Sequence, residues 1–255
     1  MTPQLSIPAG LPLAFALVLA RVAGVFFFLP LPVRDAAPAL VRVGFTVAAA
    51  LALFPHWPVV DVNGVTAGIF VVWLAGEAAL GLAVGLLIGF VGEAFVLSAQ
   101  LIGLQAGYGY ASVVDPTTQA DSDVLQVVAR MLGGLLFFAL GLDGQVLRAL
   151  ALSLDSHPPG QFVLTRTIVT MVLALGANVF SLALRLASPI LGLLLLVEIS
   201  LALVGRLSSS LQLSHSAAPL KIVLTLGAFA ALLKIVPALY LELATQAVTV
   251  LHRIL

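Results

Sequence analysis

The chain has 255 residues, of which 62% are hydrophobic and 9% charged, with a mean hydropathy of +1.20. Soluble domains carry roughly 25% charged residues, so this composition is that of an integral membrane protein or of the apolar subunit of a membrane assembly. Eleven basic and eleven acidic residues cancel, which leaves no basic footprint for nucleic acid, and the lack of cysteine excludes disulfides, thiol nucleophiles and cysteine metal sites.

The first apolar run, Leu11 to Leu31, is long enough to span about 30 Å as a helix, and Pro30 and Pro32 end it. Its start lacks a positive n-region and Arg21 interrupts it, so no cleaved signal peptide is expected. Arg34, Asp35 and Arg42 flank Pro38, which suits the first turn of a second helix reaching about Phe54. The two arginines make this connection the most positive short loop, which the positive-inside rule places in the cytoplasm.

From Val65 to Gln105 the apolar pattern hardly breaks, and as one helix it would reach roughly 60 Å, twice the hydrocarbon thickness. Either the chain turns back midway or one long helix leaves the bilayer. Gly81, Gly85 and Gly89 fall four apart, a spacing that lets helix backbones approach closely.

The stretch from Leu101 to Asp123, LIGLQAGYGYASVVDPTTQADSD, then interrupts the apolar chain. Gly103, Gly107 and Gly109 loosen the backbone, Tyr108 and Tyr110 offer bulk with a polar tip, and Asp115-Pro116 stops a helix. Irregular backbone at membrane depth must be buried in protein or line a water-filled path, so the insert reads as a pore or gate element; an ordinary loop outside the bilayer is the other reading.

Val124 to Leu154 reads as one further helix, followed by a turn over Asp155–Gln161. Phe162 to about Gly205 is again too long for one span, and Pro189 is expected to kink or break it. A polar stretch, Arg206 to Ser216, precedes a last helix that Pro219 and Lys221 open and that ends at Arg253. The expectation is an all-α polytopic membrane protein with about six long apolar helices, several broken or kinked, and a central glycine-rich loop. Neither an internal repeat nor a soluble second domain is visible, so residues 1–255 read as a single subunit.

Arg21, Glu77, Glu93, Arg130, Arg185 and Glu198 lie inside apolar runs. A charge at bilayer depth costs at least ~2.5 kcal/mol, so it faces protein or water. Three acids and three arginines permit mutual neutralisation between helices, inside a subunit or between subunits, and this pairing is favoured over an ion path. Glu77 and Glu93, 16 positions apart, point about 160° apart around one helix and form no shared carboxylate site. The four histidines are scattered, and no nucleophile–base set or phosphate loop occurs, so neither a metal, a cofactor nor an enzyme activity is expected.

Several of these features together resemble the FliR family, the flagellar members of the type III secretion export gate. The carriers are Arg21 with the following VAGVFFFLPLP, Pro38 and Arg42, then IGLQAGYGYASVVDP from Ile102 to Pro116, and further Arg130, Leu135–Phe138, Pro219 and Leu220. The chain departs from the family at Glu198, where an asparagine is usual, and at Ser208–Ser210, where an Ala-Pro-Gln is usual.

The resemblance implies a non-enzymatic subunit of the flagellar export gate in the bacterial inner membrane, at the basal body. Its partners would be FliP-like and FliQ-like subunits and a FlhB-like switch subunit, and its cargo unfolded flagellar proteins. A plug at about residues 105–123 would use Gln105, Gly107, Tyr108, Gly109, Tyr110, Asp115 and Pro116. Much of such a gate stands above the membrane plane, which would explain the overlong apolar runs. An injectisome homologue or a stand-alone secondary transporter, coupling ions through Glu77, Glu93 or Glu198, are the alternative readings.

Overall fold

The computed structural model describes residues 10–30, 38–61, 65–108, 124–156, 158, 166–207 and 213–254. The described residues form eight α-helices and a short 3-10 turn, with no strand among them. The helices are α1 (Gly10–Phe28), α2 (Ala39–Ala52), α3 (Ala67–Ala106), α4 (Val124–Ala139), α5 (Leu142–Ser156), α6 (Arg166–Leu207), α7 (Leu213–Leu232) and α8 (Val236–Ile254); the 3-10 turn is Phe54–His56. Three of them, α1, α3 and α6, are long and apolar enough to cross a membrane, and up to five spans result if each broken helix pair counts as one. The chain is a polytopic all-α membrane protein.

Several boundaries differ from the sequence reading. The run from Val65 to Gln105 does not turn back, because α3 is one helix of 40 residues. Nothing in its interior forces a stop: it contains no proline, and its glycines are spaced as a seam rather than clustered as a turn. The expected single helix from Val124 to Leu154 is instead two, α4 and α5. Gly141, with φ +66°, sits at the break, a left-handed conformation that glycine adopts without the Cβ penalty.

Pro189 was expected to kink or break the run from Phe162, and it does not break it: α6 continues through it for 42 residues. A helical proline lacks the N–H that would bond the carbonyl four residues back, here Arg185. The Ser188 hydroxyl donates to that carbonyl at 3.2 Å, so the freed acceptor keeps a partner. Pro219 does not open the last helix either; it lies inside α7, which starts at Leu213 within the expected polar stretch. The break falls later, at residues 233–235, where the chain bends by 56° into α8 and Pro237 occupies the first turn.

The chain divides into two compact units: one is Met1–Gly89, Phe137–Leu175 and Thr245–Leu255, the other Phe90–Leu136 and Gly176–Ala244. In the first unit, Leu17, Val18, Val22 and Val25 of α1, Leu80, Val84 and Leu87 of α3, and Leu142, Val146 and Leu150 of α5 are buried. In the second, Val96, Ala99, Ile102 and Ala106 of α3 cluster with Leu125 and Ala129 of α4, Ala187, Ile190 and Leu194 of α6 and Phe229 of α7. Outside these cores large apolar side chains stay exposed. Val124, Val128, Met131, Leu135 and Phe138 form a row at alternating spacings of four and three along α4, and Leu173, Phe180, Leu184, Leu196 and Leu203 are exposed along α6.

Candidate functional site

In the first unit, α1 and α3 meet along the glycine row. Gly81 backs onto the Arg21 carbonyl, and a Cβ on Gly85 would stand 2.7 Å from the Val25 carbonyl oxygen, one on Gly89 2.9 Å from that of Phe28. Residue numbers rise together on both helices, so the seam is parallel. From the α1 side, a Cβ on Gly24 would stand 2.6 Å from the Leu82 nitrogen. Backbones this close leave no volume for side chains, which is what small residues at every fourth position permit.

Glu77 continues the same row one step of four before Gly81. The close approach at Gly81 brings Arg21 beside it: Arg21 Nε donates to Glu77 Oε2 at 2.5 Å, with 1% and 0% of the side chains exposed. Arg21 Nη1 also donates to Ser153 Oγ of α5 at 2.9 Å, and that hydroxyl donates to the Leu150 carbonyl at 2.7 Å. A guanidinium offers five donors in a fixed fork, so one buried arginine can fasten three helices. Near this unit's 3-10 turn, His56 Nδ1 and Asp155 Oδ2 lie 3.0 Å apart with both side chains exposed.

In the second unit, α3 ends in a well-defined cap. The Gly107 N–H bonds the Leu104 carbonyl at 3.3 Å and the Tyr108 N–H bonds the Gly103 carbonyl at 3.1 Å, with Gly107 at φ 91°. This is the Schellman arrangement, which satisfies the last carbonyls of a helix and needs a left-handed residue after its end. Tyr108 packs back against this unit's core. One residue inside the helix, Gln105 Nε2 donates to Glu198 Oε2 of α6 at 3.2 Å. The other oxygen of Glu198 accepts from Lys221 Nζ of α7. One carboxylate therefore joins three helices here as well, but it stays 38% exposed.

Of the six charges inside apolar runs, burial within the chain is confined to Arg21 and Glu77. Glu93, Arg130 and Arg185 are exposed within this chain. The reason for Glu93 is geometric: each step of four along the row turns about 40° around the helix, so the row has left the seam by residue 93. Glu198 pairs with Lys221, which the sequence reading had treated only as a helix opener. Ser153 was also missed, since a serine in an apolar helix carries no signal that an arginine 132 positions away will reach it. Gly109, Tyr110, Asp115 and Pro116 of the central segment lie outside the described residues. No group of three or more His, Asp or Glu side chains able to hold a metal ion occurs among the described residues.

Comparison with known proteins places these features. Residues 13–247 match the family described as bacterial export proteins, family 1. The flagellar biosynthetic protein FliR of Escherichia coli K12 is 27% identical over 219 residues, covering 86% of this chain and 83% of the relative. The FliR protein of Caulobacter vibrioides is 26% identical over 84% of this chain and 86% of its own length. That of Pectobacterium carotovorum is 30% identical over 77% and 75%. With nearly the whole chain matched, this protein belongs to the bacterial export proteins of family 1, the family of the flagellar FliR proteins.

Proposed function

We propose that this flagellar export-apparatus component helps to form, and at rest to plug, the channel that passes unfolded flagellar proteins across the bacterial inner membrane. FliP-like and FliQ-like subunits would cover its apolar faces, with a FlhB-like subunit alongside. Residues 105–123 would be the plug, with Gln105, Gly107 and Tyr108 as its anchored base and Gly109, Tyr110, Asp115 and Pro116 beyond.

The observation that carries this reading is the exposed apolar face of α6. The helix has 42 residues, about 63 Å at 1.5 Å per residue, against a hydrocarbon layer of about 30 Å. Exposed leucines run from Leu173 to Leu203, so lipid alone leaves part of this face in water. Unlike apolar subunits stacked against it remove that mismatch. The exposed α4 row, spaced like a coiled-coil seam, favours helical partners for the same reason.

The test is purification from native membranes followed by conductance of the reconstituted complex. A large assembly with unlike apolar subunits is expected. The Tyr108→Ala, Tyr110→Ala double variant should assemble and raise the resting ion leak, since bulky side chains close a narrow pore. Recovery as a lone chain, or an unchanged leak in the assembled double variant, would overturn the plug.

A further inference from the structure

We propose that Glu198 is a reversible latch that holds the last turn of α3 against α6 and α7. Among the described residues two carboxylates belong to networks that join three helices, Glu77 through Arg21 and Glu198 directly, and their settings differ in the property that decides reversibility. Glu77 is sealed, so parting it from Arg21 would strand a charge in apolar surroundings. Glu198 is 38% exposed and Lys221 18% within this chain, so parting them strands neither charge in the core of the unit, and the pair exchanges between closed and open states at lower cost than the sealed one.

What the latch holds is specific. Gln105 is the last side chain of α3 that reaches another helix by hydrogen bond among those described, and it lies in the turn that the Gly107 cap closes. The cap itself depends on three backbone hydrogen bonds: the Gly107 N–H to the Gly103 and Leu104 carbonyls at 3.1 and 3.3 Å, and the Tyr108 N–H to the Gly103 carbonyl at 3.1 Å. With Gln105 tied to Glu198 the turn is fastened to α6, and through Lys221 to α7. Once Glu198 lets go, the turn from Gly103 to Tyr108 loses its hydrogen-bonded tie to α6 and α7, keeps its cap and the packing of Ala106 and Tyr108 on the core, and opens more often. That this opening of the turn accompanies opening of the channel rests on the gate reading.

The experiment uses the assembled native complex in lipid nanodiscs, with hydrogen exchange followed over residues 101–108 and resting conductance measured in parallel. Glu198→Gln and Lys221→Met should each speed exchange of the Gln105–Tyr108 amides roughly tenfold, as expected for loss of one charge-assisted contact, while α1 exchanges as in wild type. The exchanged pair, Glu198→Lys with Lys221→Glu, should return protection toward wild type, because the Gln105 amide can accept as well as donate. Gln105→Leu cuts only the α3 limb, keeps the ion pair, and should reproduce the faster exchange even if a charge variant fails to assemble. Unchanged exchange in Gln105→Leu, or no recovery in the exchanged pair, overturns the latch. Faster exchange without any change in conductance keeps the latch and removes the gate reading.

Discussion

The Arg21 guanidinium meets the Glu77 carboxylate at 2.5 Å with neither side chain more than 1% exposed. Breaking such a pair from one side leaves an uncompensated buried charge and costs about 3–5 kcal/mol, whereas replacing both partners by apolar residues of similar volume is often neutral. Glu77→Ala should therefore abolish recovery of the assembled complex, while Arg21→Met with Glu77→Leu should restore most of it. The yield of complex after detergent extraction, with its thermal midpoint, checks both. Wild-type yield of Glu77→Ala would mean that the pair does not hold the first unit together.

The glycine seam predicts a position-specific response to a single methyl group. Gly85→Ala puts a Cβ 2.7 Å from the Val25 carbonyl oxygen, and backbone on both sides cannot yield cheaply, so a loss of about 1–3 kcal/mol is expected. Gly85→Leu should prevent assembly with the chain still inserted. Gly44 and Gly227 have nothing within 4 Å of an added Cβ, and alanine there should be neutral or stabilising by up to about 1 kcal/mol through helix propensity. Thermal unfolding of the four variants gives the comparison, and equal midpoints for Gly85→Ala and Gly44→Ala would refute close contact along the seam.

Gly107 should rank its replacements by their tolerance of positive φ. At φ 91° a residue with a Cβ is strained by roughly 1–2 kcal/mol, a β-branched one by more, and asparagine by least. The expected order of stability at the end of α3 is Gly107→Asn, then Gly107→Ala, then Gly107→Val. Limited proteolysis around residues 104–108 reads it directly. Flagellar export should fall in the same order. Indifference to the β-branched residue would mean that the cap is not maintained in the assembly.

Pro189 and Ser188 form a compensated pair within α6. Ser188→Ala removes the donor to the Arg185 carbonyl at 3.2 Å and should destabilise by about 1 kcal/mol. Pro189→Ala restores the missing N–H and should make the Ser188→Ala change nearly silent. A double-mutant cycle on thermal stability measures the coupling, and additive effects would rule out the hydroxyl as the proline's compensation.

The amino-acid sequence by itself determined the class of the protein. Hydrophobic runs between prolines and polar turns settle where helices must exist, because a backbone in apolar surroundings has to satisfy its own hydrogen bonds. The glycines at residues 81, 85 and 89 announced a close helix contact, and the residues from Ile102 to Pro116 carried the family resemblance. Tertiary structure decided what local pattern cannot carry. Pro189 continues a helix because Ser188 happens to reach the carbonyl it frees, while Gly141, which the sequence marks only as a weakening of its helix, ends one. Partner choice among the charges was equally hidden: Arg21 finds Glu77 and Ser153 at separations of 56 and 132 positions, and Glu198 takes Lys221 rather than one of the arginines in the apolar runs. The physical reason is common to all of these. Helix formation is governed by neighbours within four residues, whereas the pairing of buried and half-buried polar groups depends on which helices come within hydrogen-bond reach, and that is fixed only when the chain packs.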